Sequence, residues 1–294
     1  MTAPVRPFTL SWGVSTIGCA EMSLPQICKL LSEFVIRELE VRAVDGRTDL
    51  PRWAADTGWP PLQATALLAR HQLHFAVAGS SFKLVGNDER SRDELVSFSQ
   101  WADSWGAAYV RAFGGGTWGK PLTDTDYDQA AQAISWWYRQ RKQHGWRTEL
   151  LLETHDAFSA SRPCQELMAR LSEPIGIIWD SHHTWRLGGE SPRESWSQLS
   201  QWIRHVHVKD SIGKPSARHP FTYVLPGDGE APLDQITELL SQHHFAGAVS
   251  LEWERLWHPY LPPLREALIR LQSQPWFSPS TQRVHEIQSP AVSR

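Results

Sequence analysis

Eight short runs rich in Val, Ile, Leu and aromatic residues, each followed by a longer amphipathic stretch, limit most strongly what this 294-residue chain can fold into. FTLSWGV (8–14) precedes PQICKLLSEF, RELEVRAV (37–44) precedes PPLQATALLARH, and LHFAVAGS (73–80) precedes RDELVSFSQWADSW. AAYVRAFGG (107–115), TELLLETHD (148–156), IGIIWDSHH (175–183), IRHVHVKD (203–210) and GAVSLEWE (247–254) continue the pattern. Strands covered on both faces read as near-continuous apolar runs, and regular alternation with helices implies parallel pairing through crossovers. Eight such units predict an α/β protein with a single (β/α)8 barrel over residues 1–274. From about Gln274 the composition turns to Ser, Pro, Gln and Arg without periodicity, so 275–294 is expected to be a C-terminal tail.

The competing architecture, an open doubly wound sheet, would carry a Gly-rich phosphate loop after an early strand. Neither GxGxxG after the first strand nor GxxxxGK[ST] is present, and Gly114-Gly115-Gly116 lacks the right continuation. That glycine run is expected to be a flexible strand-to-helix loop.

Composition narrows the partners. A formal charge of −3 supplies no basic field for nucleic acid or an anionic membrane, which leaves a small molecule as the expected partner. Three scattered cysteines make neither a disulfide framework nor a zinc motif and suit a reducing compartment. The segment MTAPVRPFTL lacks a signal-peptide apolar region, and no stretch reaches the length of a membrane span. The expectation is a soluble cytoplasmic protein, with a homo-oligomer left open.

Four residues end four of the apolar runs: Glu153 in LLLE, Asp180 in GIIWD, His207 in RHVHV and Glu252 in AVSLE. The intervals are 27, 27 and 45 residues, and the first two match one strand plus one helix. In a (β/α)8 barrel the carboxyl ends of the strands form the active site, so on strands five to eight these side chains converge. Taken singly, a strand-end carboxylate is more often solvated or a helix cap. Three carboxylates and one imidazole together suit a divalent ion, with Mn²⁺ favoured and Mg²⁺, Co²⁺ or Zn²⁺ compatible. His205 shares the face of His207 at a deeper level and is expected to fill a layer or support the site.

ELEVR (38–42), LLETHD (151–156), WDSHH (179–183), HVHVKD (205–210), PGDGE (226–230) and SLEWE (250–254) occur in an order that resembles the sugar phosphate isomerase/epimerase family, the xylose isomerase-like TIM barrels. The similarity runs from about residue 8 to 272; the ordered set, not any one motif, is specific. The resemblance implies that Glu153, Asp180, His207 and Glu252 bind the metal and that His183 points at the carbonyl side of the substrate. It implies an isomerase or epimerase of a keto-sugar or related polyol. A divalent ion chelating a carbonyl and its neighbouring hydroxyl would stabilise an enediolate, with Glu153 and Glu252 as the acid/base pair.

Further residues are candidates for substrate contact. Arg42 and Arg111 offer guanidiniums to an acidic group, or to ion pairs with Glu40 or Asp45. Lys209 and Asp210 are placed to hold a hydroxyl or each other. Of the sixteen tryptophans, Trp118, Trp185, Trp253 and Trp257 lie in or beside strand-end loops where their faces can pack on a sugar ring. Glu254 competes with Glu252 as a ligand, and the family pattern favours Glu252.

The ring around the site departs from ketohexose 3-epimerases of the family, which carry a glutamate and an arginine where this chain has Ser159 and Gly213. The same scaffold hosts dehydratases of keto-cyclitols or dehydroshikimate, which share the first proton abstraction. An endonuclease IV-like nuclease would need histidines at the ends of strands three and four, where AVAGSS and RAFGGG stand. A barrel subunit without catalysis is the remaining alternative.

Overall fold

The computed structural model describes residues 9–277. Seven parallel strands come first in the chain: β1 (Ser11–Ser15), β2 (Glu38–Val41), β3 (His74–Val85), β4 (Tyr109–Gly115), β5 (Glu149–Glu153), β6 (Gly176–Asp180) and β7 (Ile203–Val208). Two short strands follow, β8 (Asp210–Ile212) and β9 (Thr222–Val224), and then β10 (Ala248–Leu251). Strands β1 to β7 and β10 close into a parallel barrel, with β10 between β7 and β1, while β8 and β9 pair antiparallel outside it. The expected single (β/α)8 barrel is the observed fold.

Ten α-helices surround the strands: α1 (Leu24–Glu33), α2 (Leu50–Thr57), α3 (Pro61–Arg70), α4 (Glu89–Ser104), α5 (Asp124–His144), α6 (Ser161–Met168), α7 (Ser181–Arg186), α8 (Pro192–Leu199), α9 (Leu233–Gln242) and α10 (Leu264–Gln272). Local chemistry sets several of their ends. Thr123 and Asp126 form a reciprocal capping box at the start of α5, as Ser191 and Glu194 do for α8. Gly145 closes α5 at φ 68°, a left-handed conformation that glycine adopts without steric cost. Among the described residues no helix is long and apolar enough to cross a membrane.

The main core lies between strands and helices, where outward residues such as Leu39, Val110, Leu152, Ile177, Val206 and Val249 are fully buried. Inside the barrel a separate small cluster, Ala76, Val77, Leu151 and Ile178, forms an apolar level. Because side chains alternate along a strand, Leu151 and Ile178 share their faces with Glu153 and Asp180, which therefore stand above this level in the lumen.

Several strand ends fall earlier than the sequence pattern suggests. Strand β6 stops at Asp180, because the Asp180 carboxylate accepts a hydrogen bond from the His183 backbone N–H at 2.9 Å and caps α7. Strand β10 ends at Leu251, just before Glu252. Conversely, β3 continues to Val85 through a register shift after Gly79, carried by buried Phe82 and Leu84. Within the stretch expected to be a tail, Trp276 and Phe277 pack against Trp12 with ring centroids at 6.1 and 4.8 Å. Residues 278–294 lie outside the described residues.

The glycine run after β4 is not the flexible loop expected. Gly114 and Gly115 belong to the strand, and a Cβ at Gly114 would overlap the Phe158 ring, which is fully buried. Gly115 has φ 79° and faces the Val85 carbonyl where a Cβ would stand. Gly114→Ala is therefore expected to lower the unfolding free energy by about 1–3 kcal/mol, the usual cost of overfilling a packed core, measured by denaturant titration.

Candidate metal centre

Strands β5, β6 and β7 and the residue following β10 each bring one donor to the same point above the apolar level. Asp180 and Ser250 are both in register with His207, which puts the ends of β6, β7 and β10 at one height. Ligand atoms of Glu153, Asp180, His207 and Glu252 all lie within 4.8 Å of one another, and all four residues are buried. His207 Nδ1 is 3.5 Å from both Glu153 Oε1 and Glu252 Oε2 and has no hydrogen-bond partner.

The other imidazole nitrogen explains why Nδ1 faces the carboxylates. His207 Nε2 lies 2.6 Å from Glu40 Oε2, and both side chains are fully buried. A carboxylate can only accept, so Nε2 carries the proton of this bond. Ser15 Oγ donates to the other oxygen of Glu40 at 3.0 Å, and His205 Nε2 stands 3.4 Å from Oε2. Burial acts to raise the Glu40 pKa, but His207 and His205 outweigh it and hold the carboxyl well below the usual range. Burial likewise opposes charge on His207, yet Glu40, Glu252 and Glu153 keep its pKa well above the usual histidine value. The surroundings thus favour a positive charge at Nδ1, whether proton or metal ion.

Two cations balance part of the acidic cluster. Arg111 on β4 donates to Glu153 Oε2 at 2.9 Å and to the Ser80 carbonyl through Nε and Nη2. Burial pushes the Glu153 pKa up, but Arg111 and His207 bring it far below the usual carboxylate range. Lys209 Nζ lies 2.8 Å from Asp180 Oδ2, 2.6 Å from Glu252 Oε2 and 2.7 Å from Glu254 Oε1. Tyr223 on β9 donates to Glu254 Oε1 at 2.8 Å. Glu252 differs from Glu153: burial, together with the neighbouring Glu153 and Glu254 carboxylates, raises its pKa despite Lys209 and His207.

Two smaller donor groups overlap this centre, Glu40 with His205 and His207, and Asp180 with His182 and His183. In the first, His207 and Glu40 satisfy each other directly. In the second, His182 Nε2 bonds Ser211 Oγ at 2.7 Å and His183 Nδ1 lies 3.1 Å from the Thr154 carbonyl. Buried imidazole nitrogens without a partner occur in all three groups, but only the four-residue group joins one, His207 Nδ1, to three carboxylates, and it fits a divalent ion best. Its three carboxylates and one nitrogen are mainly hard donors, suited to Mn²⁺, Mg²⁺ or Co²⁺ and compatible with Zn²⁺.

The remaining sequence candidates divide. His183, on the first turn of α7, is buried with Nδ1 3.0 Å from Asp180 Oδ2, beside the cluster. Lys209 sits within the cluster, but its ammonium holds three carboxylates and makes no pair with Asp210. Asp210 instead accepts backbone N–H bonds from Ser211, Gly227, Gly229 and Ala231, pinning the PGDGE loop. Arg111 donates to Glu153 and Ser80, so it positions a ligand. Arg42, at the end of β2, donates from Nη2 to Ser81 Oγ at 2.9 Å. Trp118 is half exposed, with Nε1 3.4 Å from the Leu187 carbonyl. Trp253 offers no face to a sugar: it is 1% exposed and donates to the Pro262 carbonyl at 2.8 Å within the packed core. Glu254 stands outside the four-donor group, on Lys209 and Tyr223. Beside Gly213 lie the Glu230 carboxylate and the Arg186 guanidinium, paired at 2.7 Å.

Proximity in sequence pairs Glu40 with Arg42, but in the fold Glu40 bonds His207 instead. Two glutamates two residues apart in ELEVR, on one face of a strand inside a barrel, are the signal that could have found it. Tyr223 was absent from the candidates, and nothing in its local sequence marks it.

A parallel barrel with a polar lumen and an acidic, imidazole-containing cluster at its carboxyl end defines a class of proteins. Residues 36–274 match the xylose isomerase-like TIM barrel family, and the chain belongs to it. Among solved structures it resembles the probable 3-DHS dehydratase AsbF involved in petrobactin synthesis from Bacillus anthracis. The identity is 17% and the TM-score 0.74, over 90% of this chain and 100% of that one. The IOLI protein with a binding zinc atom aligns at 18% identity and TM-score 0.69, over 89% and 95% of the two chains. D-allulose 3-epimerase from Methylomonas sp. aligns at 12% and 0.66, over 90% and 94%. At these identities the likeness is one of fold. A search of curated protein sequences finds no match.

Calorimetric titration with Mn²⁺, Co²⁺ or Zn²⁺ is expected to show one ion per chain and no detectable site in His207→Ala. Glu40→Gln is expected to weaken binding about 10–100-fold, the usual effect of removing the partner that orients a ligating histidine.

Proposed function

We propose that the protein is a divalent-metal-dependent isomerase or epimerase that moves a proton on the carbon beside the carbonyl of a keto-sugar or related polyol. The observation that carries this reading is the meeting of Glu153 and Glu252 in one buried donor group from opposite sides of β6 and β7. Bound to Glu153, Asp180, His207 and Glu252, a divalent ion, with Mn²⁺ favoured by the oxygen-rich donors, would supply Lewis acidity to a carbonyl oxygen.

The two glutamates are not equivalent as bases. Glu153 Oε2 is held by Arg111 at 2.9 Å and Glu252 Oε2 by Lys209 at 2.6 Å, while Glu252 Oε1 lies 4.0 Å from Arg111 Nη1. The freer oxygen and the raised pKa make Glu252 the better proton acceptor. Glu153 faces the same carbon from across the cluster and is placed to return the proton. His183 holds the carbonyl side through its position beside Asp180. The epimerase among the structural neighbours is consistent with this chemistry on this fold.

A second reading, a metal-dependent dehydratase of a keto-cyclitol or dehydroshikimate-like substrate, draws support from Lys209. Its ammonium touches Glu252 and Glu254 at 2.6 and 2.7 Å, and Tyr223 extends the chain of proton-bearing groups. This gives the site a third acid, able to protonate a departing hydroxide, and the AsbF neighbour is described as a probable dehydratase.

The metal-loaded protein incubated in D₂O with a panel of keto-sugars and hydroxylated cyclic ketones is expected to incorporate deuterium beside the carbonyl, followed by NMR. Glu252→Gln is expected to slow exchange by about 10²–10⁴-fold, the usual contribution of a positioned base. Deuterium with retained hydroxyls and inverted or shifted carbonyl supports the isomerase. Loss of water that disappears in Lys209→Met, while exchange persists, selects the dehydratase. No exchange with any substrate counts against both.

A further inference from the structure

The hairpin of β8 and β9 is fastened in two different ways. Its base is pinned by hydrogen bonds: Asp210 accepts four backbone N–H groups, His182 Nε2 lies 2.7 Å from Ser211 Oγ, and the Gly213 N–H donates to Glu230 at 3.0 Å. The far side rests mainly on rings. His219 stacks on Phe221 with ring centroids 4.9 Å apart and planes at 2°, and it faces His258 at 5.3 Å and Tyr223 at 6.0 Å. Tyr223 meets His258 at 5.0 Å, its backbone N–H donates to the Tyr260 hydroxyl at 3.1 Å, and its own hydroxyl donates to Glu254. Arg218 lies over the Trp257 ring at 5.9 Å.

Two imidazoles thus face each other across the seam between the hairpin and residues 254–260, and the surroundings suit neither as a cation. His258 is 2% exposed, and its Nε2 has no hydrogen-bond partner. Among the described residues the ring nitrogens of His219 enter no ion pair within 4.0 Å. Burial holds His258 below the usual histidine pKa and pushes His219 down to about 4. Glu254 pulls the other way on both, but its carboxylate already holds Lys209 and Tyr223. His258, Lys209 and His183 on α7 oppose a charge on His219, as Arg218 and Lys209 oppose one on His258. The Phe221 face attracts an imidazolium only weakly at a partly exposed position.

We propose that the β8–β9 hairpin is an acid-released strap beside the metal centre, latched by neutral His219 against His258, so that a proton taken up by His219 frees the far side of the hairpin and loosens the hold of Tyr223 on Glu254. The hinge is the hydrogen-bonded base, which contains no group that this proton reaches. The direction follows from linkage. A ring that titrates near 6.5 with the strap open and near 4 with it closed binds its proton preferentially in the open form. Closure is therefore at full strength above about pH 6.5 and weakens as the pH falls toward 4. At pH 5 these two values reduce the closing constant about 30-fold through His219 alone.

The test is amide hydrogen exchange on the full chain at about pH 7.5 and about pH 5, corrected for the intrinsic rate at each pH. Wild type is compared with His219→Phe, which keeps a flat ring on Phe221 but cannot take up a proton. In wild type the segment 213–224 is expected to lose about 30-fold in protection at the lower pH while the barrel strands keep theirs. His219→Phe is expected to keep the segment protected at both. NMR titration of the wild-type imidazoles needs no substitution, and His219 is expected to titrate well below 6.5. A His219 that titrates near 6.5, or protection of 213–224 that does not change with pH, overturns the strap. So does a loss that His219→Phe shares, or one that extends equally to the barrel strands.

Discussion

The architecture of the site depends on burying an excess of carboxylates at one end of a barrel. Glu40, Glu153, Asp180 and Glu252 come together, with partly buried Glu254 beside them, in a volume from which water is largely excluded, and like charges there repel far more strongly than at a surface. The protein distributes cations among them individually: Arg111 to Glu153, His207 to Glu40, and Lys209 across Asp180, Glu252 and Glu254. These pairs do more than offset repulsion. They leave His207 Nδ1 facing two carboxylates, and they lower the Glu153 pKa while that of Glu252 stays raised.

The fold makes this concentration affordable. An apolar level of Ala76, Val77, Leu151 and Ile178 fills the lumen beneath the site, and the larger shell between strands and helices supplies most of the burial. The hairpin of β8 and β9 adds what the barrel alone lacks. Asp210 anchors the loop behind it through four backbone N–H groups, and Tyr223 reaches Glu254 from β9. A parallel barrel with this site accords with the chain's membership of the xylose isomerase-like TIM barrel family.

Much of this was legible in the residues. The eight strand-helix units and the four donors at their ends follow from hydrophobic periodicity, which depends only on local sequence. The misread elements fail for reasons periodicity does not contain. Ser181–Arg186 turns helical because Asp180 caps it, and Gly114 is glycine because Phe158, more than forty residues later, packs against it. Trp253 looked like a loop aromatic free to stack on a sugar, but its neighbours in space bury it.

Sequence by itself determined which side chains stand at the carboxyl ends of strands, because strand alternation and barrel topology are encoded every few residues. Tertiary structure alone decided which charge meets which. Arg42 and Arg111 look interchangeable in the chain, yet one is consumed by Glu153 and the other keeps a buried, unpaired nitrogen. Glu40 finds His207 across 167 positions of sequence. Electrostatic pairing falls off with distance in space and is indifferent to distance along the chain, so only the closed barrel could assign these partners.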